Sequence, residues 1–151
     1  MRDLFIEKMY ELSKKPYQKF FKKEKAWDVE INQLIQLPDD SLGFHLGCFL
    51  LKYNFEIQPK LEDHDVIHVL TNTGISVIDE IGMQYYLYGN GKRSLYLMMV
   101  IISGTLFYPT RFSYFKKQYQ RGKQAHEFYR LDFLNMLPVP LTHIQKTFNI
   151  Q

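Results

Sequence analysis

His64 and His68 stand four residues apart, and Glu80 follows His68 after eleven intervening residues. Residues at i and i+4 share one face of a helix, so two imidazoles at that spacing can serve one ion. Asp65 lies three residues before His68 and borders the same face. Glu80 cannot join them along a straight helix, because twelve residues at about 1.5 Å each carry it roughly 18 Å along the axis. A divalent cation shared by His64, Asp65, His68 and Glu80 therefore requires the chain to turn between His68 and Glu80. Thr71-Asn72-Thr73-Gly74 occupies that interval, and those residue types end one helix and cap the next. The expected ion is a hard or borderline divalent cation.

Charge supports the same region. Between Asn54 and Gly91, Glu56, Glu62, Asp63, Asp65, Asp79 and Glu80 face Lys60 alone, in a chain whose net charge is +3. An acidic centre in a basic protein repels itself unless something cationic offsets it. Glu62, Asp63 and Asp79 are expected to be solvated, the first two favouring the positive N-terminal end of a helix.

A chain of 151 residues can build a proper core as one domain spanning 1–151. Helical periodicity runs nearly throughout and no segment reads as a confident strand, so the expected fold is all-α, a compact bundle of about seven helices. Residues 3–14 carry Phe5, Met9 and Leu12 at helical spacing. Asp28 and Ser41 are candidate caps for the next two helices, with Pro38 between them. The metal motif occupies two helices, the second from about Ile75 to Tyr88, and Gly89-Asn90-Gly91 marks a turn. Ser94 opens an apolar helix that ends before Pro109. A long basic helix is expected from about Arg111 to Leu134, and Pro140 suits the first turn of a short terminal helix.

Cys48 is the single cysteine, which excludes a disulfide framework and a cysteine-based zinc site and fits a reducing compartment. The acidic residues Glu7 and Glu11 and several lysines break up any secretory signal or transit peptide. The longest apolar stretch, Leu95 to Pro109, spans about fifteen residues, short of the roughly twenty that cross a bilayer. It is read first as a buried core helix. Aromatic residues make up 16% of the chain, which suits a dense core or a pocket for an apolar ligand. Leu95, Met98, Met99 and Ile102 are the candidate lining of such a pocket, methionine suiting a flexible tail because it repacks at little cost. Two basic segments are interleaved with aromatics, 14–25 and 111–130, the latter holding Lys116, Lys117, Arg121 and Lys123. That mixture suits the headgroup layer of an anionic membrane. It names no nucleic-acid module, and nucleic acid is not an expected partner. The expected location is cytoplasmic, peripheral on a membrane surface.

The motif His64-Asp65-x-x-His68, eleven residues, then Glu80 resembles the HDxxH–x11–E signature of the coenzyme Q biosynthesis protein 4 family. Leu37-Pro38 with Ser41-Leu42-Gly43, the continuation His68-Val69-Leu70, and Arg121-Gly122-Lys123, Pro140-Leu141 and Asn149-Ile150 near the end are similar to family segments. The resemblance covers about residue 30 onward. It implies an all-helical fold and a divalent metal, usually zinc, on His64, Asp65, His68 and Glu80. It also implies a prenylated aromatic substrate and partners among other quinone-synthesis proteins at a membrane. The implied activity is removal of the ring carboxylate from a polyprenyl-hydroxybenzoate precursor, with oxidation at that carbon. The chain departs from the family at Leu131-Asp132, where a Trp-acid pair is usual, at Gln145-Lys146, where an Arg is usual, and in being shorter than organelle members.

Three other functions compete. A non-catalytic module would hold a prenyl lipid for partner enzymes, the metal bracing two helices. An HD-type phosphohydrolase would use His64-Asp65 as its doublet with His45 and Asp132 as further ligands, leaving His68 and Glu80 without a role. A zinc peptidase would need a Glu at Asp65 as general base. The oligomeric state is left open, with a homodimer among the expected partners.

Overall fold

The computed structural model describes residues 27–57 and 62–151, so the expected helix over 3–14, the basic segment 14–25 and the stretch around Pro59 lie outside the described residues. The fold is all-α. Among the described residues there are eight α-helices, six of them of seven residues or more, and no strand. They are α1 Ile31–Leu34, α2 Leu42–Lys52, α3 Glu62–Thr71, α4 Val77–Gly89, α5 Leu95–Phe107, α6 Phe112–Gln124, α7 Phe133–Met136 and α8 Leu141–Thr147, with a 3-10 turn at Pro109–Arg111 before α6.

Serines start three of the longer helices, α2 and α5 at the expected Ser41 and Ser94 and α4 at Ser76, one residue past the expected start near Ile75. The hydroxyls of Ser41, Ser76 and Ser94 accept from the backbone N–H of Phe44, Asp79 and Leu97 and so satisfy one of the free donors at each helix start. The cap of α1 falls at Glu30, whose exchange with Gln33 forms a capping box, rather than at Asp28. The C-terminal segment returns to the start of α2. The N–H groups of Leu42 and Gly43 donate to the carbonyls of Val139 and Leu137, and Leu141 N–H donates to Asp40.

The main core gathers Leu34, Leu42, Leu46 and Leu50 against Val66, Ile67 and Leu70 of α3, Met83, Tyr86 and Leu87 of α4, and Phe128, Phe133 and Ile144 near the C-terminus. Each fully buried Leu or Phe contributes roughly 1.5–3 kcal/mol by leaving water. A smaller cluster of Ile81, Tyr85, Tyr108 and Phe115 joins α4 to α5 and α6. α4 and α6 meet backbone to backbone. A Cβ at Gly122 would strike the Tyr86 carbonyl, and one at Gly89 would strike the Tyr119 carbonyl. This contact holds α4, and with it Glu80, in a fixed position.

Two expectations about helices are corrected. The basic helix stops at Gln124 rather than near Leu134, and Ala125 is already extended. The stop is tertiary: the Asn90 amide donates to the carbonyls of Gly122, Ala125 and His126, and its oxygen accepts from Phe128 N–H. The apolar helix α5 is not a buried core helix. Only Leu97 and Gly104 are buried, while Leu95, Met99, Ile102 and Leu106 are 71%, 52%, 64% and 73% exposed. These four recur at i, i+4, i+7 and i+11, one outward stripe. Of the four residues expected to bind a lipid, Leu95, Met99 and Ile102 lie on that stripe and Met98 packs against the core. No single helix among the described residues is long and apolar enough to cross a membrane.

Candidate metal centre

α3 presents His64 and His68 one turn apart, then ends at Thr71. Asn72 adopts the left-handed conformation at φ +50°, which Asn tolerates better than most residues. Thr73 N–H closes the turn on the His68 carbonyl at 3.1 Å. Ser76 then starts α4, and Glu80 sits in its first turn. The bend required by the spacing of His68 and Glu80 is thus made within a few residues.

The three side chains converge. His64 Nε2 lies 3.1 Å from His68 Nε2, 3.3 Å from one Glu80 oxygen, and His68 Nε2 lies 3.2 Å from the other. One ligand atom from each of the three residues falls within 4.8 Å of the others. His68 is buried, and His64 and Glu80 are half-buried. Donors held about 2.0–2.1 Å from one ion stand about 2.9 Å apart in an octahedron and about 3.3 Å apart in a tetrahedron. The observed separations fall in or close to that interval. Two imidazole nitrogens and a carboxylate are electron-pair donors, so their convergence needs protons or a cation between them. The residues fit a divalent metal.

Asp65 stands outside this group. One residue after His64 it is rotated about 100° round the helix, which carries its short carboxylate off the i, i+4 axis. It acts on His68 through its charge and has interactions of its own. His45 is exposed, with its ring edge-on to Phe44, and the Asp132 carboxylate accepts from Asn135 at the start of α7. Neither belongs to the group, so the ligand set required by an HD-type phosphohydrolase is not assembled.

Burial works against charge at both ends of the His68–Glu80 contact. At Glu80, His64 and then His68 outweigh burial and hold the carboxyl well below the ordinary carboxylate range. At His68, burial is outweighed by the hydrogen bond and charge of Glu80, the Thr73 carbonyl and the charge of Asp65, and the imidazole is raised. In the absence of metal, a proton shared among these groups relieves the repulsion.

Several surrounding residues had no legible signal. Phe49 of α2 stacks on the His68 ring at 5.7 Å and 17°. Tyr114 of α6 donates to Asp79 at 2.9 Å, and its hydroxyl is pushed up to about 12, by burial first and then by Asp79. Asp79 also accepts from the Ser76 hydroxyl, so it is engaged rather than solvated. Glu62 is buried and accepts Trp27 N–H at 2.8 Å, again contrary to the solvated expectation. Both carboxylates found partners distant in sequence. α5 reaches this region at Gly104, which packs on Ile81, the residue after Glu80.

A helical domain carrying a two-histidine, one-glutamate centre at the junction of two helices is the class these features define. The fold is similar to a crystal structure of a "Putative ubiquinone biosynthesis protein" from Nostoc punctiforme PCC 73102, with a TM-score of 0.68 and 16% identity over 83% of this chain and 70% of that one. No protein-family model matches the chain, and no curated protein matches it at a significant level.

Proposed function

We propose that the protein binds a prenylated aromatic acid at a divalent metal held by His64, His68 and Glu80, and promotes loss of the ring carboxylate as a step of ubiquinone-type synthesis. The observation that carries this is the three-donor convergence with Asp65 outside it. Two histidines and one glutamate form the kind of set that leaves a coordination position open, whereas structural zinc sites are closed by four protein ligands. When bound, a divalent cation there supplies Lewis acidity toward a carboxylate or phenolate oxygen. His68, buried and stacked on Phe49, keeps water from one side. Glu80, anchored on α4, fixes the charge of the centre. The likeness of the fold to the Nostoc protein supports the same direction.

α5 packs on Ile81 of α4 through Gly104, and its exposed apolar stripe offers a surface for a prenyl tail. The same stripe, with exposed Lys116, Lys117 and Lys123 on α6, supports seating on an anionic membrane. Further quinone-synthesis proteins would act on the same lipid there.

Purified protein loaded with zinc or with iron(II), both suited to this donor set, should release carbon dioxide from a polyprenyl-hydroxybenzoate. Glu80→Gln and His64→Ala should lose metal affinity by about 100-fold or more and lose turnover, whereas Asp65→Asn should lose about tenfold or less; these are order-of-magnitude expectations scaled to the 10–100-fold effects of groups that merely support ligands. Co-purification of the lipid without product under either metal would make the protein a lipid-presenting module instead.

A further inference from the structure

We propose that Thr71 and Thr73 are positioning residues for this centre: their paired hydroxyls hold the Thr73 carbonyl against Nδ1 of His68 and fix the tautomer that turns the Nε2 lone pair toward the ion. The assignment rests on the metal centre proposed above, and its hydrogen-bond geometry stands independently of it.

The direction of each hydrogen bond follows from what each atom can do. The Ile67 carbonyl only accepts, so the Thr71 hydroxyl spends its single proton there, at 2.7 Å. Thr71 Oγ1 lies 2.6 Å from Thr73 Oγ1. With its own proton committed, Thr71 accepts and Thr73 donates. Both side chains are buried, and neither depends on solvent. The Thr73 hydroxyl is thereby tied to the last turn of α3, and its backbone carbonyl is set 3.2 Å from His68 Nδ1. A carbonyl only accepts, so Nδ1 carries the proton. Glu80 also only accepts and lies 3.2 Å from Nε2, so a second proton bridges that contact at lower pH. Once that proton leaves and a cation takes its place, the Nε2 lone pair faces the ion beside His64. The opposite tautomer would set a lone pair against a carbonyl and place a proton where the ion must bind.

Side chains from distant segments pin this corner. Arg121 Nη2 donates to the Thr71 carbonyl at 3.0 Å, and Gln145 Nε2 donates to the Leu70 carbonyl at 3.0 Å. Both carbonyls belong to the last turn of α3, where no helical partner remains. Valine at 71 would keep the shape of threonine and remove the acceptor, leaving the Thr73 hydroxyl buried and unpaired. Such a group costs more than the net value of its hydrogen bond, so the turn would shift to free it and carry the carbonyl away from Nδ1. Serine would keep the hydroxyl.

The experiment compares wild type, Thr71→Val, Thr73→Val and Thr71→Ser. Zinc affinity is read by competition with a chromophoric chelator, and the imidazole by its 15N shifts in metal-free protein at alkaline pH, where the ring is neutral. The expected result is an Nδ1–H signal for His68 in wild type, a mixture of tautomers in the valine variants, zinc affinity about 10–100-fold weaker in those variants, and recovery with Thr71→Ser. A loss of stability alone would not redistribute the tautomers. Zinc affinity within twofold of wild type in a folded Thr71→Val protein would overturn the assignment. So would a wild-type His68 protonated on Nε2, a measurement that needs no variant to fold. Should wild type bind no zinc, iron(II) or manganese(II), the metal centre itself fails and the positioning role with it; the 15N signal then decides only whether the hydroxyl pair sets the ring.

Discussion

In the proposed metal centre, a proton and a metal ion would compete for Nε2 of His68. Because Glu80 and its neighbours raise this imidazole above the ordinary value of 6.5, the proton persists to higher pH than on a free histidine. Metal affinity should therefore climb as pH rises through the raised value and level off above it, with about one proton released per ion from this residue. Glu80, held low, is ionised throughout and releases none. Stability of the metal-free protein follows the opposite flanks. The raised His68 contributes stability fully below 6.5, which is lost as pH climbs through its folded value. The depressed Glu80 contributes stability above its ordinary value of 4.5, which is lost as pH falls toward its folded value. Melting curves across pH should show metal-free protein weakening on the alkaline side of 6.5 and zinc abolishing that decline. A metal-free melting temperature that keeps rising across the same range would contradict the His68–Glu80 contact. At this scale the sequence was generous: the pairing of His64 with His68 and the need for a turn before Glu80 follow from helix geometry alone. The place of Asp65 does not, because adjacency to a motif says nothing about where a short carboxylate ends.

The helices that carry these residues depend on how closely α4 and α6 approach. Gly122 lets the α6 backbone meet the Tyr86 carbonyl, and the opposing atom is main chain, which cannot swing aside. Gly122→Ala should cost at least about 2 kcal/mol in urea unfolding, more than an exposed glycine-to-alanine change, which usually stabilises a helix. It should also weaken metal binding, since α6 braces the helix that holds Glu80. An unchanged midpoint would show that the two helices pack less tightly than described. The starts at Ser41 and Ser94 were legible because each serine acts through a neighbour three residues ahead. The end of α6 was not legible, because Asn90 imposes it from 32 to 38 residues away. Local propensity continues the helix where a buried amide stops it. The same holds for Glu62, whose partner, the Trp27 N–H, lies 35 residues earlier.

The whole molecule separates a closed core from an open face. Leu42, Leu46, Val66, Leu70, Met83, Leu87 and Phe133 bury one another without a metal ligand among them, so chelation should leave helical circular dichroism intact and lower the melting temperature only in part; collapse of the helical signal would make the ion a folding nucleus. The face is α5. Its period was legible but its exposure was not, since a helix apolar on nearly every side reads as core whenever no neighbour is specified. Four large apolar side chains in one outward stripe, Leu95, Met99, Ile102 and Leu106, are costly in water, as the surface of an interaction site often is. α5 contains no charged residue, and the chain turns by 104° beyond it into the helix bearing Lys116, Lys117 and Lys123. Apolar side chains for the acyl layer and lysines for anionic headgroups are what the proposed seating on a bilayer needs. Arg121 does not join them, because it is bound to Thr71, Gln118 and the C-terminal Gln151. The protein should sediment with phosphatidylserine-containing vesicles and poorly with neutral ones. Lys116→Gln with Lys117→Gln and Lys123→Gln should flatten the salt dependence by about 1 kcal/mol per charge and leave the melting temperature unchanged. Ile102→Ser with Leu106→Ser should weaken binding at every salt concentration. If those two serines abolish self-association in analytical ultracentrifugation and leave vesicle binding untouched, the stripe joins two copies of the chain and the bilayer contact fails.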